Sequence, residues 1–240
     1  LWPVEFSVSA YTAIFKSGNV PRSFLNSVYY TALGTAINML LTTMMAYPLS
    51  RTYLTFRKFY NVLVLITMFF SGGLIPTFLT VKNLGLYNTV WAIVLPGAIS
   101  TWNLIIMRTF FMGLPAELEE SAQLDGANDF TIFARIILPL SKASIATIAL
   151  FYGVGHWNNW FSGMIYFKNS KSYPLQTILR SIVINSEVSD EITVDEVINS
   201  ISAEGIKYST LVVSMVPMMA VYPFIQKYFV KGVMIGSLKG

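Results

Sequence analysis

Long stretches of this chain carry no charge at all. Between Arg22 and Arg51 lie 28 uncharged residues, between Lys58 and Lys82 23, between Lys82 and Arg108 25, between Lys142 and Lys168 25, and between Lys207 and Lys227 19. A helix needs about 20 apolar residues to cross the hydrocarbon core of a bilayer, and these five gaps meet or approach that length. A soluble fold would have to bury all five, yet none carries the charged stripe that an outer helix of a soluble core turns to water. With charged residues at only 12% and apolar ones at 54%, the chain has too few charges to coat a globule. The sequence predicts an all-α, polytopic membrane bundle, one transmembrane domain over residues 1–240, with five spans near 23–50, 60–81, 88–111, 141–167 and 208–228.

The same inventory excludes much chemistry. There is no cysteine, hence no disulfide framework and no thiolate metal site, and the single histidine, His156, rules out any site needing two. No HExxH, nucleophile elbow, Walker or EF-hand pattern occurs. The spans contain no carboxylate, so a proton relay of the secondary-transporter kind has no members. The net charge of +4 is too small for a nucleic-acid signal. A pathway-like membrane body with no visible energy source points to a partner that supplies the energy.

Five spans put the two ends of the chain on opposite sides. The short connection Arg51–Lys58 is purely basic, while the long one from Lys168 to Lys207 is mixed in sign and counts little. This places the Arg51–Lys58 loop, the segment 117–139 and the C-terminal tail in the cytoplasm. The chain opens on Leu1-Trp2-Pro3 without an initiator Met or a basic stretch, so a signal or first span is expected to precede it.

Polar residues inside the runs are candidates for a pathway. Asn38 sits in a first span rich in small residues, which lets helix backbones approach closely. The second run is interrupted by Ser71-Gly72-Gly73, either a broken helix beside a pathway or a packing kink. The third carries Pro96-Gly97 and then Trp102-Asn103. The fourth carries His156-Trp157-Asn158-Asn159-Trp160, the most polar and aromatic patch in any span. Aromatic faces beside amides suit sugar rings, which are apolar on one face and hydroxyl-rich at the edge. An interfacial belt accounts for the tryptophans equally well.

The longest charged interruption near the centre of the chain is Glu117 to Pro139, ELEESAQLDGANDFTIFARIILP. Pro115 suits a first helical turn, and Glu117, Glu119 and Glu120 lie where the helix dipole favours anions. Gly126 can end that helix with positive φ, and Asn128 or Asp129 can cap the next, which is read as running on into the membrane. The expected element is a short helix, a sharp turn at Asp125-Gly126 and a second helix, with Leu118, Ala122 and Phe133 as candidates for buried contacts.

Glu120-Ser121-Ala122, two residues, Asp125-Gly126-Ala127, eight residues, then Ile136-Ile137-Leu138-Pro139 is similar to the EAA motif of bacterial type I ABC importer permeases, with Ser121 replacing the first Ala. Asn26-Ser27, Ala46-Tyr47-Pro48-Leu49-Ser50-Arg51, His156-Trp157-Asn158-Asn159-Trp160, Tyr173-Pro174-Leu175-Gln176 and the Lys231–Gly240 tail resemble the carbohydrate-uptake branch, MalG/LplC-like. The resemblance implies a six-span core whose first span precedes Leu1, a location in the bacterial cytoplasmic (inner) membrane, and import of oligo- or polysaccharide. It implies a coupling role for Glu117, Glu120, Ser121, Ala122, Asp125, Gly126, Ala127 and Phe133, and a second homologous permease, two ATPase subunits that bind the ATP and Mg, and an extracytoplasmic solute-binding protein as partners. This chain itself then needs no cofactor and is not an enzyme. An amino acid, polyamine or anion as solute remains the alternative, as does a scaffold without a pathway.

Overall fold

The structure, a computed structural model, describes residues 8–16, 19–188 and 203–237. Among them every regular element is helical. The segment Glu191–Ile201, open between helix and strand in the sequence, lies outside the described residues.

A short helix α1 (Ser9–Lys16) precedes the 32-residue α2 (Asn19–Ser50), which takes Pro21 into its first turn, where the missing N–H costs nothing. Ile14 of α1 is buried with Val20, Trp157 and Leu175, so α1 packs onto the bundle instead of only lying at its rim. The second apolar run is two helices, α3 (Arg57–Phe69) and α4 (Leu74–Asn83), bent 111° at the Ser-Gly-Gly break. The third run is also not one rod. It forms α5 (Trp91–Val94), an irregular turn through Pro96-Gly97, and α6 (Thr101–Met112), because Pro96 has no N–H to return to the preceding turn.

The charged central segment forms α7 (Glu117–Leu124), α8 (Asp129–Ile132), a π-helical turn (Phe133–Ile137) and α9 (Leu138–Leu140). It does not run straight into the bilayer as the sequence leads one to expect: at Ser141 the axis turns by 82° into α10 (Lys142–Trp157). The remainder is α11 (Phe161–Tyr166), a 3₁₀ turn at Ser170–Ser172, α12 (Leu175–Val188) and α13 (Ala203–Ser237). Helix α13 takes in much of the segment expected to be a glycine-rich tail.

Two stretches among the described residues, Asn19–Ser50 and Gly205–Pro223, are each long and apolar enough to cross a membrane alone, and the bent pairs α3/α4 and 129–140/α10 raise the number to four at most. The difference from five spans comes from the breaks at Gly72-Gly73, at Pro96-Gly97 and at residues 158–160 between α10 and α11, which charge spacing does not register. Helix α3 shows what solvent this fold needs. Val64 is its one buried residue, while Phe59, Val62, Leu63, Leu65, Ile66 and Phe69 lie exposed. In water such a face would drive association; in lipid it is the ordinary exterior.

Helix α2 is the axis of the packing, with its most extensive contacts to α10 and α6. The main core joins Ala46 and Tyr47 of α2, Leu104, Met107 and Phe111 of α6, Ile132, Phe133 and Ile137 of the charged central segment, and Ile148 and Tyr152 of α10. That core ties the central segment to the long helices.

Candidate functional site: a helical handle and a cavity

The turn after α7 follows from its glycine. Gly126 has φ +81°, the left-handed region that L side chains resist. Its N–H donates to Gln123 O (3.0 Å), and the Ala127 N–H donates to Ala122 O (2.9 Å). These two bonds close a Schellman turn and satisfy carbonyls the helix end would otherwise leave bare. Asn128, not Asp129, caps α8: its Oδ1 accepts from the Thr131 N–H at 2.8 Å.

The handle has an inner and an outer face. Ala122 and Phe133 are buried in the chain's own core, with Ala127 packed against it. Glu117, Leu118, Glu120, Ser121, Asp125 and Gly126 are exposed. Leu124 is 90% and Phe130 72% exposed, so two large apolar side chains stand free on the same face.

Glu119 behaves differently from its two acidic neighbours. It is 7% exposed and forms an ion pair with Arg51, the residue after α2, at 2.5 Å. Burial raises its carboxyl above the ordinary value, against the opposing pull of Arg51. The Arg51 guanidinium lies over the Tyr47 ring, 4.7 Å from its centroid, and Tyr47 packs on Phe133 at 5.1 Å. In the same loop the Tyr53 hydroxyl donates to Asp129 Oδ1 at 3.1 Å. The loop after α2 therefore grips α7 through Arg51 and α8 through Tyr53. Helix α2 itself is anchored there: Arg108 Nε and Arg57 Nε donate to Leu49 O at 3.1 and 3.3 Å, placing cations on bare C-terminal carbonyls.

The sequence treats Glu119 only as an anion near a helix start and Arg51 only as an orientation marker. Glu119 lies three residues before Ala122, hence on the same helical face, and that spacing is the signal that could have singled it out. Nothing local marks Arg51 or Tyr53, whose partners lie in a distant part of the chain.

The second site is a cavity of about 500 Å³ between α2, α4, the α5–α6 break, α10 and α11. It brings together Asn38, Asn103, His156 and Asn159 from the sequence candidates. Trp157, Asn158 and Trp160 are not in its lining. Trp157 is buried on the other side of α10, where its Nε1–H donates to Ser214 O at 3.1 Å and Phe24 meets its ring edge-on. Asn158 is exposed at the end of α10. Trp160 carries the Arg180 guanidinium 3.7 Å from its ring centroid.

Helix breaks supply polar backbone to this cavity. Gly97 O, freed by the Pro96-Gly97 turn, accepts from Asn38 Nδ2 at 3.2 Å, leaving Asn38 Oδ1 buried without a partner. The Ser100 N–H donates to the Tyr152 hydroxyl at 2.9 Å, and that hydroxyl lies 2.7 Å from Thr42 Oγ1. The sharp α3–α4 bend delivers Leu74 and Thr77 to the wall. The lining holds amides, hydroxyls, aromatic rings and one imidazole, and no lysine, arginine or carboxylate. It is suited to hydrogen-bonding a hydroxylated solute along its edges.

Beyond the cavity, Asn26 Nδ2 donates to Lys171 O (2.9 Å) and Tyr173 O (3.1 Å), and Ser27 Oγ accepts from the Leu175 N–H (2.7 Å). The two segments Asn26-Ser27 and Tyr173–Gln176 thus form one joint.

Comparison with known proteins follows the geometry. Residues 8–235 match the family described as binding-protein-dependent transport system inner membrane component. Over its whole length the chain is 46% identical to the polygalacturonan/rhamnogalacturonan transport system permease protein YtcP of Bacillus subtilis (strain 168), covering 84% of that protein. It is also 46% identical to protein LplC of the same organism, covering 81% of it. A crystal structure of a bacterial ABC transporter involved in the import of the acidic polysaccharide alginate resembles it with a TM-score of 0.87 at 31% identity, covering 95% of this chain and 82% of that one. The match over residues 8–235 and the similarity over the whole chain agree, and this chain belongs to the family of binding-protein-dependent transport system inner membrane components.

Proposed function

We propose that this chain is the transmembrane permease subunit of an ATP-driven, binding-protein-dependent importer of oligo- or polysaccharide, and that the 117–139 segment couples ATPase closure to alternating access. The observation that carries this reading is the course of α2. Its middle contributes Asn38 to the cavity, and the residue after its end, Arg51, holds α7. Force applied to α7 thereby reaches the cavity wall through one helix. Exposed Glu117, Leu118, Glu120, Ser121, Asp125 and Gly126, with Leu124 and Phe130, form the face offered to a cytoplasmic ATPase; Ala122, Ala127 and Phe133 hold that face to the permease body.

The solute class rests on a relative named for polygalacturonan and rhamnogalacturonan transport, on the structural neighbour named for alginate import, and on amides and hydroxyls set among apolar and aromatic side chains in the cavity wall. In this reading the chain crosses the bacterial cytoplasmic membrane five times, with α3/α4 and the broken α5–α6 region each making one crossing and the C-terminus in the cytoplasm. A second homologous permease subunit, two ATPase subunits and an external solute-binding protein complete the assembly, and ATP hydrolysis belongs to the ATPase. The test is uptake by the complete complex in proteoliposomes, with ATP inside and binding protein outside. Oligogalacturonides or neutral plant-wall oligosaccharides should accumulate and amino acids, polyamines and phosphate should not; uptake confined to any of the latter would contradict the reading.

A further inference from the structure

We propose that Gly34 is a positioning residue that parks the His156 imidazole in the seam between α2 and α10, out of the bore of the cavity, and so sets the width open to the solute. A Cβ built on Gly34 would lie 2.5 Å from His156 Nε2, 2.6 Å from Cε1 and 2.8 Å from Cδ2. Real Cβ atoms do not approach ring atoms so closely, so the imidazole occupies the notch left by the missing side chain. No hydrogen bond holds the ring by its outer nitrogen: Nε2 is buried without a partner. The position is therefore held by shape, through the absence of one methyl group.

On one side of the ring lies the backbone of α2, part of the most extensive helix contact among the described residues. The ring also borders the cavity, whose wall His156 forms with Asn38, Gly155 and Asn159. A side chain at position 34 would push the ring off the α2 backbone, toward the cavity that Asn103 and Ser162 also line. This inference rests on the cavity being the solute path, but not on the solute being a saccharide.

The chain contains no cysteine, so Ser162→Cys places a unique thiol of this subunit in the cavity wall. In the assembled complex with cysteine-free partner subunits, its modification rate by a trimethylammonium-bearing methanethiosulfonate reports the bore. Gly34→Ala should slow labelling severalfold and lower the maximal uptake rate of whichever solute the unsubstituted complex carries. In a His156→Ala background, Gly34→Ala should change neither. Labelling of Gly34→Ala at the unsubstituted rate would overturn the proposal. So would an equal slowing with and without the imidazole, which would mean that the glycine serves helix packing alone. If Gly34→Ala does not assemble, the comparison of His156→Ala with the double variant decides. Matching assembly and labelling support the proposal, and failure of the double variant to assemble overturns it. A wrong solute class would leave the labelling pattern intact and appear only as absent saccharide uptake by the unsubstituted complex.

Discussion

At its C-terminal end α2 meets its neighbours through charge and stacked rings: Arg51 on Glu119, the guanidinium over Tyr47, and Tyr47 on Phe133. At mid-length it meets α10 through the gap at Gly34, where the His156 ring sits. Both contacts leave buried polar atoms without partners, Arg51 Nε and Nη2 at the first and His156 Nε2 and the neighbouring Asn38 Oδ1 at the second, and such atoms cost free energy that a rearranged state or a bound solute can recover. The difference lies in what holds each contact: an ion pair and stacked rings at the handle, shape without a charge pair at the cavity.

Substitutions that strike the two regions unequally can break this contrast. The largest effect is expected from Trp157→Ala, which empties a buried site against Phe24 and removes the indole N–H that donates to Ser214 O, at a cost of about 3–5 kcal/mol. Thermal melting of the complex should fall sharply, with uptake and ATP hydrolysis lost in proportion to the assembled fraction. Selective loss of uptake with unchanged melting would make Trp157 part of the pathway instead.

Glu119→Ala leaves Arg51 buried and unpaired, at a cost of about 3 kcal/mol. ATP hydrolysis should continue while uptake falls, and Arg51→Met with Glu119→Leu should recover most of the melting temperature. A Glu119→Ala complex that melts normally would show that the grip on α7 lies elsewhere.

Gly126→Val forces a β-branched residue into φ +81°, with nothing within 4 Å for its Cβ to strike, so the penalty is backbone strain alone, about 1–2 kcal/mol. The complex should stay in the membrane and hydrolyse ATP without importing; normal uptake by this variant would remove the turn from the coupling path. Asn128→Ala deletes one cap, about 1 kcal/mol, and should lower melting slightly with transport reduced far less than by Gly126→Val.

The smallest effect is a pH dependence. Burial lifts the Glu119 carboxyl above 4.5, so the folded chain holds that proton more tightly than the unfolded chain does. The resulting stabilisation is full below 4.5 and fades as pH rises through the raised value. A Glu119→Gln complex should lack that part of the melting profile, and an identical profile would place the titration on another group.

The handle was largely legible in the sequence because its determinants are local. Gly126 ends α7, Asn128 caps α8, and helical spacing separates Ala122 from the exposed residues. The division among Glu117, Glu119 and Glu120 was not legible, because it depends on Arg51, far away in sequence and adjacent in space. The cavity was half legible. Asn38, Asn103, His156 and Asn159 stood out as polar residues in apolar runs, but Trp157, Asn158 and Trp160 shared that appearance and face elsewhere, since an apolar run does not record which face of its helix is inward. The breaks in the second and third runs were visible as Gly-Gly and Pro-Gly, while the 111° and 82° bends emerge only from packing.

Held by Arg51 on α7 and Tyr53 on α8, α2 and α7 should move as one body, so that the handle and the cavity wall shift together. The most direct test is a spin-label distance between Leu40→Cys on α2 and Ser121→Cys on α7, both exposed positions in a chain without cysteine. The distance is measured in the full complex, nucleotide-free and trapped with vanadate after ATP hydrolysis. The account predicts the same distribution in both states, while a label pair across to the partner permease changes. A Leu40–Ser121 distance that shifts beyond the width of the nucleotide-free distribution would contradict it.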